Sequence, residues 1–173
     1  MLKLMRVIAL TALFPLFALN SGMATDVPLQ EPSSEPVLTV SGEIEQTNKD
    51  EVAVFDLEML QSLGVSAVST TTIWTDGVQT FEGVLLADLL ARLGVTEGTL
   101  LATAINDYTV EIPVSDAIEG GPIVAYTRNG APMSVRDKGP LWIIYPYDSK
   151  ANYRSEVVYS RSIWQLDRLK VLK

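Results

Sequence analysis

The chain has 173 residues, no cysteine, no histidine and a formal net charge of −8. These absences exclude a disulfide, a thiolate-bound metal, a Cys/His zinc site and a histidine-based catalytic triad. The acidic balance disfavours nucleic acid and anionic membrane surfaces as partners, so binding has to be considered before chemistry.

The N-terminus carries Lys3 and Arg6, then an apolar run from Val7 to Leu19 broken only by Thr11 and Pro15. Ser21-Gly22-Met23-Ala24 follows, with small residues at the −3 and −1 positions of a cleavage site. This pattern predicts a signal peptide over residues 1–24, cleaved after Ala24. The run is shorter than the roughly 20 apolar residues of a membrane span, so no membrane insertion is expected after cleavage. There is no Arg-Arg pair in this segment, which predicts export of the unfolded chain rather than twin-arginine export. Freedom from cysteine suits an oxidising compartment, and the expected location is the periplasm. Residues 25–36 (TDVPLQEPSSEP) read as a flexible linker, and residues 37–173 as one globular domain.

Val37 to Ile44 has the composition of a strand. Asp56 can cap a short helix from Leu57 to Leu63, closed by Gly64. Val65 to Trp74 alternates and is rich in β-branched residues, which predicts a strand; Asp76-Gly77 reads as the turn into a return strand through Phe81. Val84 to Leu93 has apolar residues at helical spacing, and Gly94 stands where a helix terminator belongs. Strands are expected at Leu100–Ile105 and Tyr108–Ile112 around Asn106-Asp107, with a helical turn from Pro113 to Ile118. Ile123–Thr127, Leu141–Tyr145 and Trp164–Leu172 complete the strands, with a turn at Asn129-Gly130. Many short strands and few short helices give an α+β domain that is mostly β, a mixed sheet or barrel-like arrangement.

The order of motifs carries a resemblance. Phe81-x-Gly83-x-x-Leu86-x-x-Leu89-Leu90 is followed by Asn106-Asp107-Tyr108 and Ile112-Pro113. Then come Ile123-Val124-Ala125-Tyr126-x-x-Asn129-Gly130-x-Pro132-Met133, Gly139-Pro140-Leu141-Trp142 and the terminal strand. This succession, from about Val37 to Leu172, resembles the molybdopterin-binding domain of the sulfite oxidase family. Two departures matter. The family's enzymes ligate molybdenum through a cysteine thiolate, which hydroxyl and methyl groups cannot replace. The family segment whose arginine helps hold the cofactor reads here Gly139-Pro140-Leu141-Trp142. A cysteine-free, exported branch of this fold resembles periplasmic pterin-binding proteins. Resemblance to that branch implies a non-catalytic sensor of a reduced, tetrahydropterin-like ligand. It would hold no covalently bound cofactor and no molybdenum cofactor. Its implied partner is the periplasmic region of a membrane protein of cyclic di-GMP metabolism, of the GGDEF/EAL type. Two other readings stay open: a molybdopterin-dependent oxidoreductase, or a degenerate domain that serves only for protein interaction.

A pterin ring wants an aromatic or guanidinium face to stack on, and its amino and N3–H edge wants a carboxylate. Four of the six tyrosines and two of the three tryptophans fall between Trp142 and Trp164. Trp142, Tyr147, Asp148, Tyr153 and Arg154 are candidate ligand contacts from this segment, Pro146–Ser155 being read as a loop. Trp142 and Trp164 read equally as core residues. Arg161 lies among apolar neighbours and needs a partner, either an aspartate such as Asp107 or Asp148, or the ligand. Trp74 stands at a strand end, where its indole must pack or stack. The resemblance places Asp107 and Tyr108 near the pocket, although Asp107 reads equally as a turn residue. No catalytic residue and no metal ligand is expected. Asp116 and Arg136-Asp137-Lys138 read as surface turns.

Overall fold

The computed structural model describes residues 28–173. The expected signal peptide, residues 1–24, lies outside the described residues, as do residues 25–27 of the expected linker.

Ten strands and three short helices follow one another along the described chain. The strands are β1 (Leu38–Gly42), β2 (Ala53–Phe55), β3 (Ser66–Thr72), β4 (Thr75–Leu85), β5 (Thr99–Ala104), β6 (Thr109–Pro113), β7 (Ile123–Arg128), β8 (Ala131–Pro132), β9 (Trp142–Ile144) and β10 (Leu166–Leu172). The helices are α1 (Leu57–Ser62), α2 (Leu86–Arg92) and α3 (Glu156–Arg161). The α+β, mostly-sheet expectation holds.

The strands form two five-stranded sheets. The first runs β2-β1-β10-β5-β6; the second runs β3-β4-β7-β8, with β9 also paired to β7. β1 lies parallel to β10, with Thr39 opposite Arg168, so the two ends of the domain pair with each other. Alternation decides the faces. In β5, Leu100, Ala102 and Ala104 are buried while Thr99, Leu101 and Thr103 are only half-buried. In β10, Leu166, Leu169 and Val171 point inward. Period-two burial of this kind marks a sheet packed on one face.

Asp56 caps α1 as expected: its Oδ1 accepts from the Met59 N–H at 2.9 Å. Its other oxygen accepts from the N–H groups of Ser33 and Ser34, at 2.8 and 3.0 Å. Part of the stretch read as a linker is thus bonded to the domain, and Leu29 packs against the core. The N–H bonds and the Ser33 hydroxyl, led by the Met59 N–H, lower the Asp56 pKa to about 2, against the opposing effect of burial.

Two boundaries differ from the sequence expectation, and a third element was not foreseen. The β3–β4 hairpin reverses at Ile73-Trp74, not at Asp76-Gly77. Thr72 and Thr75 pair across the reversal with their hydroxyls 2.7 Å apart, and the Trp74 N–H donates to the Thr72 hydroxyl. Asp76 and Gly77 instead lie where the register shifts between Thr71 and Thr72, a bulge that tolerates the left-handed glycine. Second, β4 continues to Leu85, so α2 begins at Leu86 rather than Val84. Third, Glu156–Arg161 is helical; the Ser155 hydroxyl caps it by accepting from the Val158 N–H.

Candidate functional site

The hairpin reversal sends Trp74 out of β-ladder geometry and over the inner aromatic residues. Its ring lies edge-on to Trp142 (5.7 Å between centroids), Tyr147 (6.3 Å), Tyr159 (5.8 Å) and Trp164 (5.7 Å). Edge-to-face contacts at these distances match the ring quadrupoles and fix orientation. A cavity of about 340 Å³ opens beside this cluster. Trp74, Trp164, Tyr159 and Tyr108 supply its aromatic wall; Asn106 and Ser160 supply polar groups. The volume falls in the roughly 300–1,000 Å³ range of small-molecule sites.

Trp142 and Tyr147, both expected contacts, are not in the cavity lining; they lie in the core and bond to Ser162, which is. Trp142 is fully buried and its Nε1–H donates to the Ser162 carbonyl oxygen at 3.1 Å. Tyr147, also buried, donates its hydroxyl to Ser162 Oγ at 2.7 Å. Ser162 Oγ in turn donates to the Val158 carbonyl in α3. Burial raises the Tyr147 pKa well above the ordinary phenol value, although the Ser162 bond works the other way. Trp142 is thus the core residue that the sequence allowed it to be, and Tyr147 shares that position instead of lying open on a loop.

The remaining expected contacts lie elsewhere. Asp107 is exposed, adopts a left-handed φ of 65° and pairs with Arg168 at 2.7 Å. Its neighbours, not its carboxylate, reach the cavity: Asn106 Oδ1 accepts from the Tyr108 N–H and shapes the turn. Asp148 accepts from the N–H and hydroxyl of Thr71, at 2.6 and 2.8 Å, and clasps the loop to β3. Those bonds, led by the Thr71 N–H, hold its pKa below the ordinary carboxylate value. Arg154 donates its Nε–H to the Tyr147 carbonyl and stands 4.0 Å from Asp148. Tyr153 packs 5.7 Å from the Tyr145 ring, with the Lys150 ammonium over its own ring. None of Asp107, Asp148, Tyr153, Arg154 and Arg161 is in the cavity lining.

Arg161 does have the carboxylate partner its surroundings demanded, but the partner is Asp116, at 2.9 Å. The same Asp116 oxygen accepts from the buried Tyr145 hydroxyl at 2.7 Å. Burial first, and then the Asp116 bond and charge, push the Tyr145 pKa far up. Asp116 is therefore a half-buried structural acceptor, not the surface turn residue that its neighbourhood suggested. The sequence also left Tyr159, Trp164 and Asn106 outside the candidate contacts. Trp164 and Tyr159 stood in the aromatic-rich segment, which was the available signal. The Lys138 ammonium lies 4.9 Å from the Trp164 ring centroid, a cation–π contact that no spacing foretold.

Residues 37–152 match a family described as the oxidoreductase molybdopterin binding domain. The crystal structure of the sulfane dehydrogenase SoxCD from Paracoccus pantotrophus superposes with a TM-score of 0.58 at 18% sequence identity. The superposition covers 78% of this chain and 37% of that one, so the likeness concerns the fold of one part of the larger protein. No curated protein gave a match.

Proposed function

The chain belongs to the oxidoreductase molybdopterin-binding domain family, and from that premise we propose that it holds a reduced, tetrahydropterin-like ligand non-covalently and does not turn it over. The observation that carries this reading is the aromatic cavity beside Trp74. Trp164 and Tyr108 in its lining are both solvent-exposed in part, and Trp74 and Tyr159 complete an aromatic wall of the kind a flat ring packs against.

The residues present do not fit the family's metal-bearing cofactor. A high-valent molybdenum centre calls for a soft thiolate, and the chain has no cysteine. The cavity lining contains no lysine or arginine for a cofactor phosphate. No catalytic step is therefore assigned to this protein.

The export pattern of residues 1–24 supports a periplasmic location, and the acidic chain supports a protein partner over nucleic acid. In this reading, occupancy is reported to the periplasmic region of a membrane signalling protein of cyclic di-GMP metabolism.

Purified protein, denatured and extracted, should release about one fluorescent pterin per chain. Calorimetric titration should give saturable binding of a reduced pterin. Absence of binding at high micromolar ligand would overturn the proposal. So would stoichiometric molybdenum in protein produced in a molybdenum-replete host. Co-purification with the partner's periplasmic region should change when the pterin is added; indifference to the pterin would remove the signalling half.

A further inference from the structure

Strand β3 is the outer strand of its sheet, paired with β4 on one side and with no strand on the other. The register shows which of its backbone groups face outward. Ser69 stands opposite Thr80. Thr80 donates its N–H to Asn129 Oδ1 at 2.9 Å, and its carbonyl accepts from the Asn129 N–H at 2.7 Å, both on the β7 side. Ser69 and Thr80 are therefore a pair without ladder bonds, with their hydroxyls 2.9 Å apart. The Ser69 N–H and carbonyl point away from β4, and by the two-residue period so do those of Ala67 and Thr71. Asp148 takes the Thr71 N–H from that side. The backbone groups of Ala67 and Ser69 that face outward have no partner among the described residues, and both residues are exposed.

Proteins blunt such an edge with lysine, proline, a bulge or a covering loop. From Val65 to Thr71 the run VSAVSTT has no charge and no proline, and its register with β4 is unbroken from Ser66 to Thr71. The Asp148 clasp closes the edge at Thr71 and leaves Ala67 and Ser69 open. A groove of about 500 Å³ adjoins the open part. Residues 66–69 and 119–121 line it, together with Leu85, Ile123 and Pro146. Gly120 leaves room there, since a Cβ on it would meet nothing within 4 Å. Glu119 is the one charged residue of the lining; it is exposed and has no ion-pair partner among the described residues.

An extended segment laid along this edge gains main-chain bonds from Ala67 and Ser69, and its side chains meet the groove. Charge selects the occupant. A second copy would bring another Glu119 and another chain of net charge −8 to the same edge. A segment with a basic side chain meets an unmatched carboxylate instead.

We propose that the open edge of β3 at Ala67 and Ser69 takes up an extended segment of another protein, one with β-branched residues for the pairing and a lysine or arginine for Glu119. The groove shares no lining residue with the aromatic cavity, so this surface stands or falls apart from the pterin reading.

The probes are two labelled, end-capped peptides of alternating valine and threonine, one with a central lysine and one with a central glutamate, titrated by fluorescence anisotropy into the full mature chain. The lysine peptide should bind saturably and about fivefold tighter than the glutamate peptide. Glu119→Gln should remove most of that preference, and so should added salt. Ser69→Pro deletes an outward N–H without touching the ladder and should weaken the lysine peptide by about tenfold or more. Ala67→Pro should do the same, whereas Ser69→Ala keeps the N–H and should bind as the unmodified chain does. Thermal unfolding checks that the proline variants are folded; if they are not, the Glu119→Gln comparison decides. No saturable binding of the lysine peptide at about 1 mM would overturn the proposal. So would equal binding of the two peptides, or a folded Ser69→Pro chain that binds unchanged. Sedimentation of the chain alone should show a monomer. A dimer that Ser69→Pro dissolves would give the edge to a second copy and overturn the assignment to another protein.

Discussion

Replacing Asp56 by asparagine tests how residues 28–36 are bound to the domain. The carboxylate is buried and accepts from Met59 N–H, Ser33 N–H, Ser34 N–H and the Ser33 hydroxyl. Its pKa falls from the ordinary 3.8 to about 2 in the folded chain. At about 1.4 kcal/mol per pH unit, that difference corresponds to roughly 2.5 kcal/mol of folding stability. The folded pKa is the lower one, so the contribution is fully present above about pH 4 and is lost as the pH falls through about 2. Asp56→Asn keeps one carbonyl acceptor for the helix cap but removes the charge. It should lower stability by about 2 kcal/mol at pH 7. Urea unfolding followed by tryptophan fluorescence, at several pH values between 7 and 2, gives the difference between the two proteins. That difference should close towards zero near pH 2. The variant should also become sensitive to proteolysis within residues 28–36. A stability gap that is the same at pH 7 and pH 2 would refute the electrostatic argument, and unchanged proteolysis would refute the anchoring of the segment.

Other side chains give separate expectations. The Tyr126 hydroxyl is buried with no hydrogen-bond partner among the described residues, so Tyr126→Phe should raise stability by about 1 kcal/mol, seen as a higher midpoint in thermal unfolding. Asp116→Leu strands both the Tyr145 hydroxyl and Arg161; it should cost about 3 kcal/mol, and adding Tyr145→Phe should restore part of this in a double-mutant cycle. Asp148 has a lowered pKa, so its clasp on β3 should hold above the ordinary aspartate range and open as the pH falls through its folded value. Hydrogen exchange at the Thr71 N–H reads this directly, and Asp148→Ala should abolish the protection at every pH.

Local chemistry was legible from the sequence; long-range partnership was not. The Asp56 cap, the termination after Leu63 and the strands at β5 and β10 rest on neighbours within a few residues, and all of them appear in the structure. The short strand Ala53–Phe55 is too brief to show a period, and it exists because β1 offers it an edge. The hairpin was misplaced because Asp76-Gly77 is a strong local turn signal, whereas the threonine pair that closes at Ile73-Trp74 acts across the reversal. The aromatic-rich segment supplies Tyr159 and Trp164 to the cavity lining, but its division was hidden. Tyr147 sits beside polar residues and still turns inward, because Ser162, fifteen positions later, satisfies its hydroxyl. The environment of Arg161 demanded a carboxylate, and nothing local could choose Asp116, which is 45 residues away.

That division explains how the cavity can be aromatic without closing on itself. Two rings behind it, Trp142 and Tyr147, are held in the core by one buried residue, because Ser162 offers its carbonyl to the indole and its hydroxyl to the phenol. Trp74 then packs on those fixed rings edge-on, at 62° and 67°, while Tyr159 leans on Tyr147 at 45° and meets Trp74 at 84°. The polar anchor at Ser162 thus reaches the cavity through orientation: it holds the inner rings, Trp74 packs edge-on against them, and Trp74 forms part of the cavity wall.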